Sequence, residues 1–284
     1  MLHALVALIT AAAAPQSGAS PAAAELRTIG VAISDDKGRP IPGLTLQEVA
    51  LLENGVARDV AELTPDDRPL TLAVLVDSSE AVGSAYRLNV VEAVLRFLAS
   101  LPPGTRYTVW TTGDRPTKVV ELTDERGAAA KALKRTYPTG GSTMLDALVE
   151  AARELRQQEG QRTAVVAVAG SGIEFSNRPR ERVVDEARGG GTRFMAVQFE
   201  EAAGPLESRQ NYDYVFSELA RKTGGLREIV LSSMGIESAL KKVASDLTAQ
   251  YRLRYATLPE LKERKLEVQV ARPGARVRVV ETPH

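Results

Sequence analysis

Runs of apolar, β-branched and aromatic residues recur through the middle of this chain, at Leu70–Val76, 106–110, 163–169, Arg193–Phe199 and 226–231. A strand buried on both faces reads as a nearly unbroken apolar run rather than as an alternation, and these runs have that form. Between them lie segments whose apolar residues repeat at helical spacing. In 84–101 the residues Leu88, Val91, Leu95 and Leu98 share one face, in 142–157 Leu145, Leu148, Ala152 and Leu155 do, and in 233–249 Ile236, Leu240, Val243 and Leu247 do. Each of these faces is predicted to be core. Regular succession of strand and helix predicts an α/β unit over 67–249, with a doubly wound, mostly parallel sheet and 118–122 as an extra edge strand.

The flanking segments carry a different pattern. Glu25–Ser34 reads as a strand, followed by turn chemistry in Asp35, Asp36, Gly38 and Pro40. Residues 50–53 and 56–63 flank Asn54-Gly55, a strong hairpin signal. Beyond 250, the stretches 251–256, 265–271 and 275–280 alternate as strands do, with Pro273-Gly274 as a tight turn. An isolated pair of strands is marginal in water, so the segments 25–66 and 250–284 are predicted to fold together as a small β subdomain.

Composition narrows the chemistry. The first 24 residues contain no Lys, Arg, Asp or Glu and include an apolar stretch at 5–14, the form of a signal peptide without its basic start, with a flexible alanine-rich tail as the alternative reading. That stretch is too short to span a bilayer, so the expectation is an exported protein, secreted or periplasmic, without a stable transmembrane span. The chain has no cysteine, and its 2 histidines are His3 and His284, which removes disulfides, thiolate metal sites, histidine-based triads and His-ligated zinc from consideration. Lys plus Arg and Asp plus Glu balance at 36 each, which argues against nucleic acid as a partner. Arg276 and Arg278 alternate with Val277 and Val279 and are expected on a solvated strand face.

Candidate chemistry gathers where the buried strands end. Leu70–Val76 runs into Asp77-Ser78-Ser79-Glu80-Ala81, a helix-like segment follows Gly140-Gly141-Ser142-Thr143, and 163–169 runs into Gly170-Ser171-Gly172. This arrangement resembles the von Willebrand factor type A domain, whose metal-binding loop reads Asp-x-Ser-x-Ser. Asp77 and Ser79 fit that motif and Ala81 does not. The resemblance puts Ser142 at the position of the family's Thr ligand, and Ser171 where a carboxylate is expected. It implies the family's scaffold with a depleted site, at which Asp77, Ser79 and Ser142 would hold Mg²⁺ or another divalent cation weakly, with Glu174 as a substitute carboxylate. Asp77 and Ser79 also suit a turn cap, and Ser142 a helix N-cap, while Asp146 would favour the positive end of that helix. Residues 35–44 and 51–55 resemble the leader of bacterial secreted relatives of the same family, with Glu48-Val49 in place of its Asp-Phe.

Enzymatic readings find little support. Around Ser171 the nucleophile-elbow pattern Gly-x-Ser-x-Gly fails, because Ala169 and Ile173 stand at the outer glycine positions. A haloacid-dehalogenase-like Asp77 would need an Asp where Ser79 stands, and neither a Walker loop nor Gly-x-Gly-x-x-Gly is present. The run Gly189-Gly190-Gly191 precedes a strand, not a helix, and reads as a plain loop. The expected function is therefore a non-enzymatic module binding a protein partner through the loops at 77–82, 111–114, 140–143 and 171–177. Glu80, Asp114, Thr143, Ser171, Glu174 and Phe175 would form its rim, with Ile173 beside them. The alternatives are a hydrolase using Ser171 and a structural envelope protein.

Overall fold

The computed structural model describes residues 25–36, 38–200, 204–257 and 264–280; the expected signal peptide lies outside them. The leader forms β1 (Glu25–Ser34), β2 (Val49–Glu53), β3 (Val56–Arg58) and β4 (Val60–Pro65). The central unit runs β5 (Leu70–Val76), α1 (Val91–Ser100), β6 (Arg106–Thr111), β7 (Thr117–Thr123), α2 (Ala128–Leu133), α3 (Met144–Leu155), β8 (Arg162–Ala169), α4 (Arg180–Ala187), β9 (Arg193–Phe199), α5 (Leu206–Lys222), β10 (Leu226–Val230) and α6 (Ile236–Thr248). The tail adds β11 (Gln250–Thr257), β12 (Leu266–Val270) and β13 (Arg276–Val280).

Six strands make the central sheet in the order β10-β9-β8-β5-β6-β7, parallel except for β7 at its edge. Every residue of β5 is buried, which explains its unbroken apolar sequence. Leu72, Val74 and Val76 face one helical layer with Val94, Leu240 and Val243. Ala73 and Leu75 face the other, with Leu145, Leu148, Tyr212 and Phe216. Helices α1 and α6 thus cover one side and α3, α4 and α5 the other, and all the strand ends that carry the candidate site emerge at one edge.

One predicted face is corrected. The chain enters α1 through a π turn at Tyr86–Val90. The wider turn absorbs one extra residue, which rotates what precedes it by about 100° relative to a continuous α-helix. Leu88 is consequently 71% exposed, and Val90, Val91, Val94, Phe97 and Leu98 supply the buried face.

The leader and the tail pair with each other. One sheet has the order β13-β1-β11-β4, with Ile29 opposite Leu253 and Val31 opposite Val279; the second has the order β12-β2-β3. Ile29, Val31, Ile33, Leu51, Leu253, Tyr255 and Val268 form their shared core. Asn54 and Gly55 both adopt positive φ, 52° and 79°, as a two-residue hairpin turn demands. The predicted strand at 56–63 is broken at Asp59, so that β3 stays with β2 while β4 crosses to β11. At the centre lies Glu53, fully buried, accepting from Arg58, Tyr255, Thr257 and Arg264. Burial opposes its charge, but the bonds from Thr257, Arg264 and Tyr255 prevail and hold its pKa below the ordinary value. Arg278 is also corrected: it turns off the solvated face to pair with Asp246 and to donate to the Gly225 carbonyl.

Candidate functional site

The carboxyl ends of β5, β6 and β8 bring the predicted loops together, and backbone hydrogen bonds lace them. Ser78 accepts from Thr139, Gly140 from Glu80, Gly141 from Asp114 and Ile173 from Ser142, while Ser142 accepts from Phe175. Ser142 bridges both Gly113 and Glu174, so it belongs to a short extension of sheet pairing rather than capping α3. A rim stitched this way holds its side chains in fixed positions.

Asp77 lies at the bottom, fully buried. Its Oδ1 accepts from the Ser79 N–H at 2.8 Å and its Oδ2 from the Gly170 N–H at 2.9 Å. Burial pushes its pKa up, against the pull of those bonds. The Ser79 hydroxyl is buried with no hydrogen-bond partner among the described residues. Gly172 closes in beside it; a β-carbon there would fall 2.7 Å from the Ala81 methyl and 3.2 Å from Ser79 Oγ. Ser142 Oγ lies 3.2 Å from Thr112 Oγ1.

Glu174 is held inside. Its Oε1 accepts from the Ser176 N–H at 2.9 Å and its Oε2 from the Tyr212 hydroxyl at 2.5 Å. Burial pushes its pKa up to about 7 against those hydrogen bonds, with the charge of Asp77 adding to the rise. Tyr212 is driven well above the usual phenol range by burial and by both carboxylates, and its hydroxyl also neighbours Ser142. The result is a polar cluster of the buried Asp77, Ser79, Thr112, Ser142 and Tyr212 with the half-buried Glu174.

Two residues expected on the rim surface are turned inward. Thr143 donates its hydroxyl to the Thr112 carbonyl at 2.9 Å, and Ser171 donates to the Phe199 carbonyl at 3.0 Å; both are buried. Ser171 is therefore not presented as a nucleophile. Asp146 is engaged as well, with Arg178 and the Asn177 N–H. Glu80 and Asp114 remain exposed, Asp114 at a positive φ of 58° and accepting from Thr139. Phe175 is 58% exposed, its ring lying over Gly141, where a β-carbon would come within 2.1 Å of it. Tyr212 and Thr112 carried no local signal: Tyr212 sits one turn before Phe216 on the apolar stripe of α5 and reads as ordinary core.

The donor set fits a firmly held divalent cation poorly. The orphaned Ser79 hydroxyl leaves one position open, but Ala81 offers no oxygen, Ser171 no charge, and both oxygens of Glu174 are occupied. Among the described residues no group of three or more His, Asp or Glu side chains is placed to hold a metal ion.

A sequence profile of the von Willebrand factor type A domain matches residues 72–173. No curated protein matches the chain by sequence. Among solved structures, a von Willebrand factor type A protein from Catenulispora acidiphila superposes with a TM-score of 0.56 at 10% identity, covering 92% of this chain and 73% of that one. Proximal thread matrix protein 1 from the mussel byssus, with zinc in its metal-ion-dependent adhesion motif, gives 0.53 at 17% identity over 69% of this chain and 50% of its own. The von Willebrand domain of the type V pilus tip protein of Porphyromonas gingivalis gives 0.50 at 9%, over 62% and 94%. This chain thus spans half the length of the byssal protein.

Proposed function

Since residues 72–173 carry a von Willebrand factor type A domain, we propose that this chain is a non-enzymatic protein-binding module whose contact surface is the carboxyl edge of the central sheet. The observation that carries this reading is the apolar character of that edge. Phe175 and Ile173, exposed at 58% and 48%, are joined there by Tyr137, Leu88, Met234 and Leu231, all above 70%. Exposed large apolar residues concentrated on one edge, over a rigid polar floor, mark an interaction site. The fold also serves a byssal thread matrix protein and a pilus tip protein, a setting that agrees with an exported binding module. No helix among the described residues is long and apolar enough to cross a membrane.

Contact through apolar side chains and loop shape implies weak or absent dependence on Mg²⁺ or other divalent ions. Titration calorimetry with millimolar Mg²⁺, Mn²⁺ and Ca²⁺ is expected to give little heat. A tight, stoichiometric isotherm lost in Asp77→Ala would overturn this, and would show that Glu174 gives up Tyr212 to join the ion.

The partner is sought by capture from an envelope fraction, with Mg²⁺ and with a chelator, using the wild type and two rim variants. Phe175→Ala is expected to weaken binding about tenfold or more, the scale of losing one aromatic hot spot. Glu80→Lys is expected to weaken it as well, with circular dichroism unchanged. Wild-type affinity in both would move the contact surface elsewhere, to the sheets formed by the leader and tail.

A further inference from the structure

At the opposite edge of the central sheet, where the parallel strands begin, arginines stand at three neighbouring strand starts. Arg68 precedes β5, Arg162 opens β8 and Arg193 opens β9. With Arg156, which ends α3, they line a recess of about 410 Å³ bordered by Gly30, Gln250 and Val280 of the terminal sheet. Gly190 and Gly191 of the glycine run form one wall, and both adopt positive φ. Gly190 lets the stem of Arg156 lie against it, since a β-carbon there would fall 2.5 Å from Arg156 Cγ.

Part of what these arginines do is structural. Arg68 forks onto Asp66, Arg162 donates to the carbonyls of Arg68 and Leu247, Arg156 to that of Glu186, and Arg193 to that of Gly224 while pairing with Asp246. A surplus remains. The acids lining the recess are Asp66, already held by Arg68, and the exposed Glu159, against four guanidinium groups; Asp246, behind Arg193, is shared with Arg278. Arg193 is only 4% exposed, yet its Nη1 has no hydrogen-bond partner among the described residues. A buried guanidinium N–H without an acceptor is costly, which leaves Arg193, a lining residue, with unmet hydrogen-bonding capacity. Burial lowers the pKa of Arg162 and brings that of Arg193 to about 9.

We propose that this recess is a phosphate-binding site, taking inorganic phosphate or the phosphate group of a small phosphomonoester. The N–H groups that these guanidiniums leave unused can donate to the oxygens of a tetrahedral dianion, whose charge the excess of arginine over acid complements. The volume lies within the range of small-molecule pockets, about 300–1,000 Å³. The site is independent of the rim and would work whether or not the rim binds a protein.

The full chain is titrated with sodium phosphate and, separately, with glycerol phosphate, at ionic strength held constant with sodium chloride. Calorimetric heat and the thermal midpoint are followed. Saturable binding and a raised midpoint are expected, and the tighter of the two ligands names the source. Arg156→Gln leaves the bonds of Arg162 and Arg193 in place and is expected to weaken binding about tenfold or more, the scale of one charge-assisted hydrogen bond. Arg162→Gln, checked for fold by circular dichroism, is expected to do the same. A midpoint shift no larger than that of chloride alone overturns the proposal, as does wild-type affinity in both variants.

Discussion

Replacing Glu174 by Gln is expected to raise the unfolding free energy by about 3 kcal/mol near pH 8 and to leave it almost unchanged near pH 4. The folded pKa of Glu174 is about 7 against an ordinary 4.5, so the folded protein holds this proton more strongly than the unfolded chain does. Its contribution is therefore fully present below the unfolded value of 4.5 and is lost as pH rises through 7. Gln keeps an oxygen for the Ser176 N–H and carries no charge to bury. Asp77 is displaced in the same direction by its own burial and leaves a residual slope in both proteins, so their difference is the readout. Chemical unfolding at both pH values, in a chelator, measures it. Parallel pH profiles for the two proteins would mean that Glu174 ionises without penalty, and that the network around Tyr212 is more open than the structure has it.

Deleting the chain from Tyr251 onward is expected to unfold the leader while sparing the central unit. Strand β11 lies between β1 and β4, so its loss removes a partner from each at once, and β12 and β13 go with it. What remains of the leader is the short β2–β3 hairpin, which is marginal alone. Glu53 would lose Tyr255, Thr257 and Arg264 and keep Arg58, and breaking a buried ionic cluster in this way costs about 3–5 kcal/mol. The two clusters that fill the central unit draw on no residue beyond Leu247. Limited proteolysis is expected to cut within 25–65 and to leave 70–248 resistant. A protected leader in the truncated protein would show that it folds without the tail.

The parallel strands are legible in the sequence because burial on both faces leaves a composition that water would not tolerate elsewhere. Helix α6 is legible because its stripe of Ile236, Leu240, Val243 and Leu247 runs without interruption. The start of α1 is not, since a single extra residue in the π turn changes the phase without changing the composition, and Leu88 looks like any other core leucine. The break at Asp59 is hidden for a related reason: nothing in 56–63 says which of two neighbouring sheets each half will join. At the site, Asp77 and Ser79 stand out because small oxygen-bearing side chains follow an apolar strand. The inward turn of Thr143 and Ser171 depends on carbonyls of Thr112 and Phe199 that only the folded chain brings near. Tyr212 reaches Glu174 from a helix far along the sequence, a meeting that no local pattern announces.

The pairing of Glu25 with Thr257 spans nearly the whole sequence, whereas β5 finds β6 and β8 within the central unit. Contacts that close long loops form late, because the chain must lose that entropy before the contact returns anything. During synthesis β1 is made before the other described strands, yet the residues of its two neighbours, β11 and β13, are added only after the whole central unit. For that interval its backbone edge is open to pairing with the same strand of another chain, and crowding in the nascent state becomes the condition under which this protein is most exposed to misassembly.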